Sequence, residues 1–83
     1  MGGPVKRSVT IAGHATSISL EPLFWTALAE AADADALPLN ALVARIDAAR
    51  ILEPDPPNLA SAIRIWLFEK ARHRSLVDNI AND

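Results

Sequence analysis

The chain has 83 residues, enough for one domain with a marginal core, and its eight basic and ten acidic residues give a net charge of −2. It has no cysteine, which excludes disulfides and thiolate metal sites. No apolar run reaches the ~20 residues of a membrane helix, and the N-terminus lacks the apolar core of a signal peptide. We therefore expect a cytoplasmic protein with no membrane partner. Since 51% of the residues are hydrophobic, we expect a homodimer in which a second copy buries apolar surface that a monomer would expose.

Two short segments near the N-terminus alternate between apolar and polar residues. In residues 7–11, Val9 and Ile11 share one face, and in residues 16–20 Ile18 and Leu20 do so. The intervening Ala-Gly-His fits a tight turn. Two interpretations are open at this point: a hairpin, or a mobile arm followed by one strand. A single strand would have to find its ladder partner elsewhere, in a second copy of the chain.

The rest of the chain predicts three helices separated by prolines. Pro22 suits a first helical turn, Pro38 separates the first two helices, and the Pro-rich residues 53–57 form an extended connector. Asn58 is a good cap for the third helix. The apolar stripes of these helices comprise Phe24, Trp25, Leu28, Ala31 and Ala32, then Leu39, Leu42, Val43, Ile46 and Ala49, and finally Leu59, Ala62, Ile63, Trp66 and Leu67.

The C-terminal part of the chain is less apolar and turns basic. Residues 70–74 hold four basic or histidine side chains, which are favourable at a helix C-terminus without any nucleic acid. We prefer that interpretation to a DNA contact. The expected organisation is a flexible N-terminus (1–5), one domain (6–74) and a frayed tail (75–83).

The order strand, proline, helix, turn, helix resembles that of the ribbon–helix–helix proteins, the class of the Arc and methionine repressors. The similarity is closest to a small bacterial branch of that class. It rests on residues 6–14 (KRSVTIAGH), 16–22 (TSISLEP), 24–25 (FW), 39–42 (LNAL), 46–50 (IDAAR) and 58–62 (NLASA). The resemblance implies a mainly α fold with a short β-ribbon and an added third helix. It also implies an intertwined homodimer whose central strands pair antiparallel across a twofold axis.

The same resemblance implies a function in DNA binding and transcription regulation. In such proteins the outward strand side chains enter the major groove, and amides at the start of the second helix hold a phosphate. Carried onto this chain, the base-facing residues are Ser17 and Ser19, and the phosphate contacts are Lys6, Arg7, Asn40 and Ala41. The expected dimer interface comprises Ile18, Leu20, Trp25, Leu42, Ile46 and Trp66.

Three residues depart from what the resemblance leads us to expect. Ala15 stands where arginine would be usual, and Ala36 and Pro38 stand where glycine and a capping serine would be usual. Ala36 must then adopt left-handed geometry at a steric cost. A further difficulty is geometric: if residues 9–11 pair with the outer edge of the central strand, the dimer has four strands. A sheet that wide does not enter the groove as a two-stranded ribbon does.

Two functions therefore remain open on the sequence alone. The first is a DNA-binding regulator, and the second is a protein-interaction or structural dimer without DNA binding, in which the third helix presents Ile65 and Phe68 to another protein. Catalysis is not expected, because His14 and His73 lie at opposite ends of the chain and the carboxylates Glu30, Asp33 and Asp35 fit a solvated helix end. We expect no cofactor and no metal.

Overall fold

The computed structural model describes residues 2–81, which form two strands followed by three helices. The elements are β1 (Val5–Ile11), β2 (His14–Leu20), α1 (Pro22–Ala34), α2 (Leu39–Arg50) and α3 (Leu59–Ala81). The expected mainly α fold with a short ribbon and a third helix is confirmed. Both strands begin earlier than the alternation indicated, at Val5 and at His14.

The two strands form an antiparallel hairpin within one chain. The register runs from Val5 opposite Leu20 to Ile11 opposite His14. Ala12 and Gly13 form the two-residue turn, with φ of 51° and 83°, and two positive φ values match the twist that a short hairpin turn requires. Of the two interpretations left open by the sequence, the structure shows the hairpin.

The register also fixes which backbone groups remain unpaired. A two-residue turn is closed by a hydrogen-bonded pair, here Ile11 with His14, and hydrogen-bonded pairs alternate with non-hydrogen-bonded ones. The non-hydrogen-bonded pairs are therefore Thr10–Ala15, Ser8–Ser17 and Lys6–Ser19. Their amides and carbonyls point away from the hairpin, towards the open edge of their own strand. Each edge of this two-stranded sheet can accept another strand.

The core lies between the inner face of the hairpin and the three helices. Its buried hydrophobic side chains are Val9, Ile18, Leu20, Trp25, Leu28, Ala31, Ala32, Leu42, Val43, Ile46, Ile63 and Leu67. Every helical member of this core was part of a predicted stripe. Burial of these side chains removes apolar surface from water at about 25 cal/mol per Å² and is the main force that holds the layers together.

The junction between α1 and α2 is closed by a left-handed alanine. Ala36 has φ of 55°, as predicted from its replacement of a glycine. The Leu37 amide donates to the Ala32 carbonyl at 2.9 Å and the Ala36 amide donates to the Asp33 carbonyl at 3.0 Å. These two bonds form a Schellman motif, which satisfies the last carbonyls of α1.

The third helix is capped as predicted but is longer than its apolar core stripe. The Asn58 Oδ1 accepts from the Ser61 amide at 2.8 Å, a side-chain N-cap. Leu67 is the last buried residue among residues 2–80, yet the helix continues to Ala81, and residues 71–80 are all exposed. Fraying of residues 75–83 stays a prediction, and Asn82 and Asp83 lie outside the described residues.

Candidate nucleic-acid interface

The outer face of the hairpin presents six exposed side chains, three from each strand. Strand alternation puts Lys6, Ser8 and Thr10 of β1 on the same face as Ala15, Ser17 and Ser19 of β2. Cross-strand neighbours on this face are close, because they occupy the non-hydrogen-bonded pairs. The face therefore carries one ammonium group and four hydroxyls. None of the six residues is acidic.

Charge is distributed unevenly between the hairpin and the helices. Residues 1–20 hold two basic and no acidic side chains, whereas residues 21–83 hold six basic and ten acidic ones. The hairpin is thus cationic on an acidic protein. For an anionic ligand, local charge matters more than the net charge of the chain.

Arg7 and Lys6 lie on opposite faces of the hairpin. Arg7 shares the inner face with Val9, and its guanidinium lies 5.1 Å from the centroid of the Trp25 ring. The Trp25 Nε1–H donates to the Val5 carbonyl at 2.9 Å. These two contacts hold the start of β1 against α1. The role of Arg7 in phosphate binding stays a prediction, and in this structure its charge is directed to the helical side.

The N-terminus of α2 offers the second group of expected contacts. Pro38 is the N-cap, and the Ala41 amide donates to its carbonyl at 3.1 Å. No carbonyl or side chain within residues 2–81 accepts from the Asn40 amide. Asn40 is exposed and Ala41 is half-buried. Of the two expected donors, Asn40 therefore has the more accessible amide.

Arg64 joins α3 to the end of β2 and the start of α1. Its Nε donates to Glu21 Oε1 at 2.9 Å, and its Nη2 lies 2.9 Å from the same oxygen and 3.5 Å from the Ser19 carbonyl oxygen. The guanidinium also lies 5.7 Å from the centroid of the Phe24 ring. The pKa of Glu21 is lowered, first by a hydrogen bond from its own backbone and second by Arg64.

Three more basic side chains on the helices are paired with carboxylates. Arg50 lies 2.9 Å from Asp47, and Arg45 and Lys70 each lie 3.9 Å from Asp35. All are partly or largely exposed, and such pairs contribute about 0–1 kcal/mol each to stability. They also neutralise charge that would otherwise attract an anionic ligand.

Five of the six residues expected at the dimer interface are already buried within a single chain. Ile18, Leu20, Trp25, Leu42 and Ile46 are buried without any second copy, and Trp66 is half-buried. The first five are thus core residues of one chain. Their participation in a dimer contact stays a prediction.

The helices also expose apolar side chains. Leu23 of α1 and Phe68 of α3 are 67% and 66% exposed, and Ile65 is 51% exposed. The two helices form an open groove lined by Phe24, Ala27 and Leu67, with Arg64 and Arg72 beside it. The groove is shallow and lacks a convergent set of catalytic groups.

Two features are absent from the part of the chain that the structure describes. Among residues 2–81, no three His, Asp or Glu side chains form a group that could hold a metal ion. None of the helices in that range is both long enough and apolar enough to cross a membrane.

A β-hairpin whose polar face points outward, packed on helices in this order, defines a small β-ribbon and helix domain. A family model described as "Ribbon-helix-helix domain" matches residues 4–71. The match covers most of the chain, so the protein belongs to the ribbon-helix-helix family. Members of the family are commonly DNA-binding transcription regulators, typically without enzymatic activity, and they typically form homodimers. Comparison with curated proteins and with solved structures gives no match.

Sequence reasoning missed three members of this site. Ser8 and Thr10 lie beside Ser17 and Ala15 on the outer face, and strand parity would have placed them there once the hairpin was accepted. Arg64 lies outside the apolar stripe predicted for the third helix, yet it contacts Glu21 and approaches Ser19, more than 40 positions away. No local pattern carries that information.

Proposed function

We propose that this protein is a dimeric DNA-binding regulator of the bacterial cytoplasm that places the outer face of its ribbon in the major groove. The observation that carries this proposal is the composition of that face: Lys6 and four hydroxyl side chains, with no carboxylate. Hydroxyls can donate to and accept from base edges, and lysine attracts phosphate. Ser17 and Ser19 would contact bases, while Lys6 and the Asn40 amide would contact the backbone.

The open edge of β2 supports dimerisation through that strand. The amides and carbonyls that do not pair with β1 belong to Ala15, Ser17 and Ser19, which are the same residues that carry the outward side chains. A symmetric antiparallel pairing centred on Ser17 would match Ser19 of one copy with Ala15 of the other. The Ser19 carbonyl has two lone pairs, so it can accept from a strand amide as well as from Arg64.

Binding to duplex DNA across a salt series tests this function. We expect the wild-type protein to bind a labelled random-sequence duplex at low salt, measured by fluorescence anisotropy. The logarithm of the affinity should fall against the logarithm of salt by about 0.9 for each phosphate neutralised. Ser17→Ala with Ser19→Ala should also alter the sequences that the protein selects from a randomised library. The absence of binding at low salt would contradict the proposal.

A second candidate is a homodimer that keeps the fold and binds another protein. Two observations favour it. With alanine at position 15, the outer face of the ribbon has no arginine, and four of the six basic side chains beyond residue 20 are paired with carboxylates. Ile65 and Phe68 on α3 are exposed, as this hypothesis requires. Loss of a protein partner on Phe68→Ser, with no DNA binding by the wild type, would favour this candidate.

A further inference from the structure

The position of β1 has a consequence for how a dimer meets DNA. If the two copies pair through the open edges of β2, each β1 becomes an outer strand of a four-stranded sheet. Adjacent strands lie about 4.8 Å apart, so each outer strand lies about 7 Å from the twofold axis. The major groove is about 12 Å wide. The central strands thus lie over the base edges, whereas each β1 lies at a groove wall, where the phosphates are.

The chemistry of β1 matches that position. Lys6, Ser8 and Thr10 are exposed on the outer face, and each sits at a non-hydrogen-bonded pair. Their backbone amides therefore point out from the open edge of β1, in the plane of the sheet. An ammonium group, two hydroxyls and backbone amides are all groups that bind phosphate oxygens in protein–DNA complexes. β1 contains no acidic residue that would repel them.

β1 is also fixed in place rather than free to move away. The Trp25 indole donates to the Val5 carbonyl, the Arg7 guanidinium stacks on the same ring, and Val9 is buried. These inner-face contacts leave the outer face and the open edge unused. A strand held this way presents its backbone amides at binding without a further ordering cost for the main chain.

We propose that β1 is a phosphate-binding strand, and that Lys6, Ser8 and Thr10 clasp the DNA backbone on either side of the base-facing central strands. The proposal rests on the proposed function and extends it to two residues that carry no other role. It also removes the difficulty of a four-stranded sheet, because the whole sheet does not need to enter the groove. Only the central pair does.

The test compares two double variants and two single variants in the same DNA assays. Ser8→Ala with Thr10→Ala should weaken binding to every duplex by the same factor, at least about tenfold, because four hydroxyls per dimer lose hydrogen bonds to charged phosphates. The motif selected from a randomised library should stay unchanged. Ser17→Ala with Ser19→Ala should change that motif instead.

The contribution of the Lys6 charge to DNA binding is tested by comparing Lys6 with Lys70, the other lysine of the chain. Lys6→Ala should lower the steepness of the salt dependence by about 1.8, which is about 0.9 for each of two phosphates per dimer. Lys70→Ala removes the same charge from α3 and should leave that steepness unchanged. Unfolding midpoints and solution mass confirm that each variant is folded and dimeric.

The possible results separate this proposal from the function on which it rests. If the wild type binds and the Ser17/Ser19 variant is altered, but the β1 variants match the wild type, the phosphate role of β1 is wrong and DNA binding stands. A changed motif in the Ser8/Thr10 variant would mean that β1 contacts bases, which also overturns the proposal. A wild type that fails to bind DNA overturns both.

Discussion

The Arg64 guanidinium lies 2.9 Å from the Glu21 carboxylate and ties the third helix to the residue that ends the ribbon and precedes α1. The two residues are 43 positions apart, so this contact forms only when α3 has docked. The pair is about one-third exposed, and its contribution to stability is accordingly modest.

The lowered pKa of Glu21 predicts a pH-dependent part of the stability. A carboxyl whose folded-state pKa lies below its ordinary value of 4.5 stabilises the fold fully above that value. The contribution is lost as the pH falls through the folded-state pKa. The wild type should therefore be more stable than Glu21→Gln at pH 7, and the difference should vanish on acidification, as followed by urea unfolding from pH 7 to pH 3. A difference that stays constant over this range would exclude the ionised carboxylate as its cause.

Proline at position 17 should separate the dimer without unfolding the hairpin. The Ser17 amide points to the open edge of β2 and donates to nothing in β1, so Ser17→Pro removes no hydrogen bond of the hairpin ladder but does remove a donor to the second copy. We expect a solution mass near 8.9 kDa by light scattering, with the helical circular dichroism retained. Ser8→Pro, the matched change on the open edge of β1, should remain a dimer. Persistence of the dimer in Ser17→Pro would place the contact elsewhere.

Arginine at position 15 should strengthen DNA binding. Ala15 lies on the outer face opposite Thr10, and an arginine there adds a charge and a bidentate donor that reaches base edges or phosphate. We expect Ala15→Arg to tighten binding about tenfold at low salt and to steepen the salt dependence. Ala29→Arg puts the same charge on an exposed site of α1 and serves as the control. Equal gains from both variants would indicate a nonspecific charge effect.

Glycine at position 36 should stabilise the protein. Ala36 has φ of 55°, and left-handed geometry costs a residue with a Cβ about 1–2 kcal/mol. Replacement by glycine removes this cost, but part of the gain in stability is offset by the greater entropy of glycine in the unfolded chain. We expect Ala36→Gly to raise the free energy of unfolding by about 0.5–1 kcal/mol. Ala48→Gly, at an exposed site inside α2, should lower it by a similar amount, as urea unfolding would show.

Much of the fold could be predicted because its determinants are local. Pro22, Pro38 and Asn58 mark helix starts through the backbone of their own neighbours. The left-handed geometry of Ala36 was expected only from the resemblance, which places glycine at that position. Alternation predicted both strands. The choice between hairpin and arm was different, because β1 is held by the Val5–Trp25 hydrogen bond, which spans 20 positions.

The candidate site was less predictable, because it too depends on contacts between residues that are distant in the sequence. Ser17 and Ser19 were found through resemblance and parity, but Ser8 and Thr10 join them only because β1 pairs with β2 in this register. Arg7 was grouped with Lys6 as basic, although their neighbouring positions on a strand put them on opposite faces. The end of α3 could not be located from the apolar core stripe, because the stripe stops at Leu67 while residues 68–81 contain no glycine or proline that would end the helix.

Trp25 has a further consequence for experiments on this molecule. Its indole touches the inner side of β1 through Val5 and Arg7, on the face opposite to Ser8 and Thr10. Trp25 is therefore an intrinsic fluorophore in contact with the inner face of β1. A ligand bound to the outer face cannot quench it by direct contact. The other tryptophan, Trp66, lies in α3 beside Lys70. With Trp66 replaced by phenylalanine, Trp25 would be the single indole, and its emission would report on whether β1 remains packed against α1.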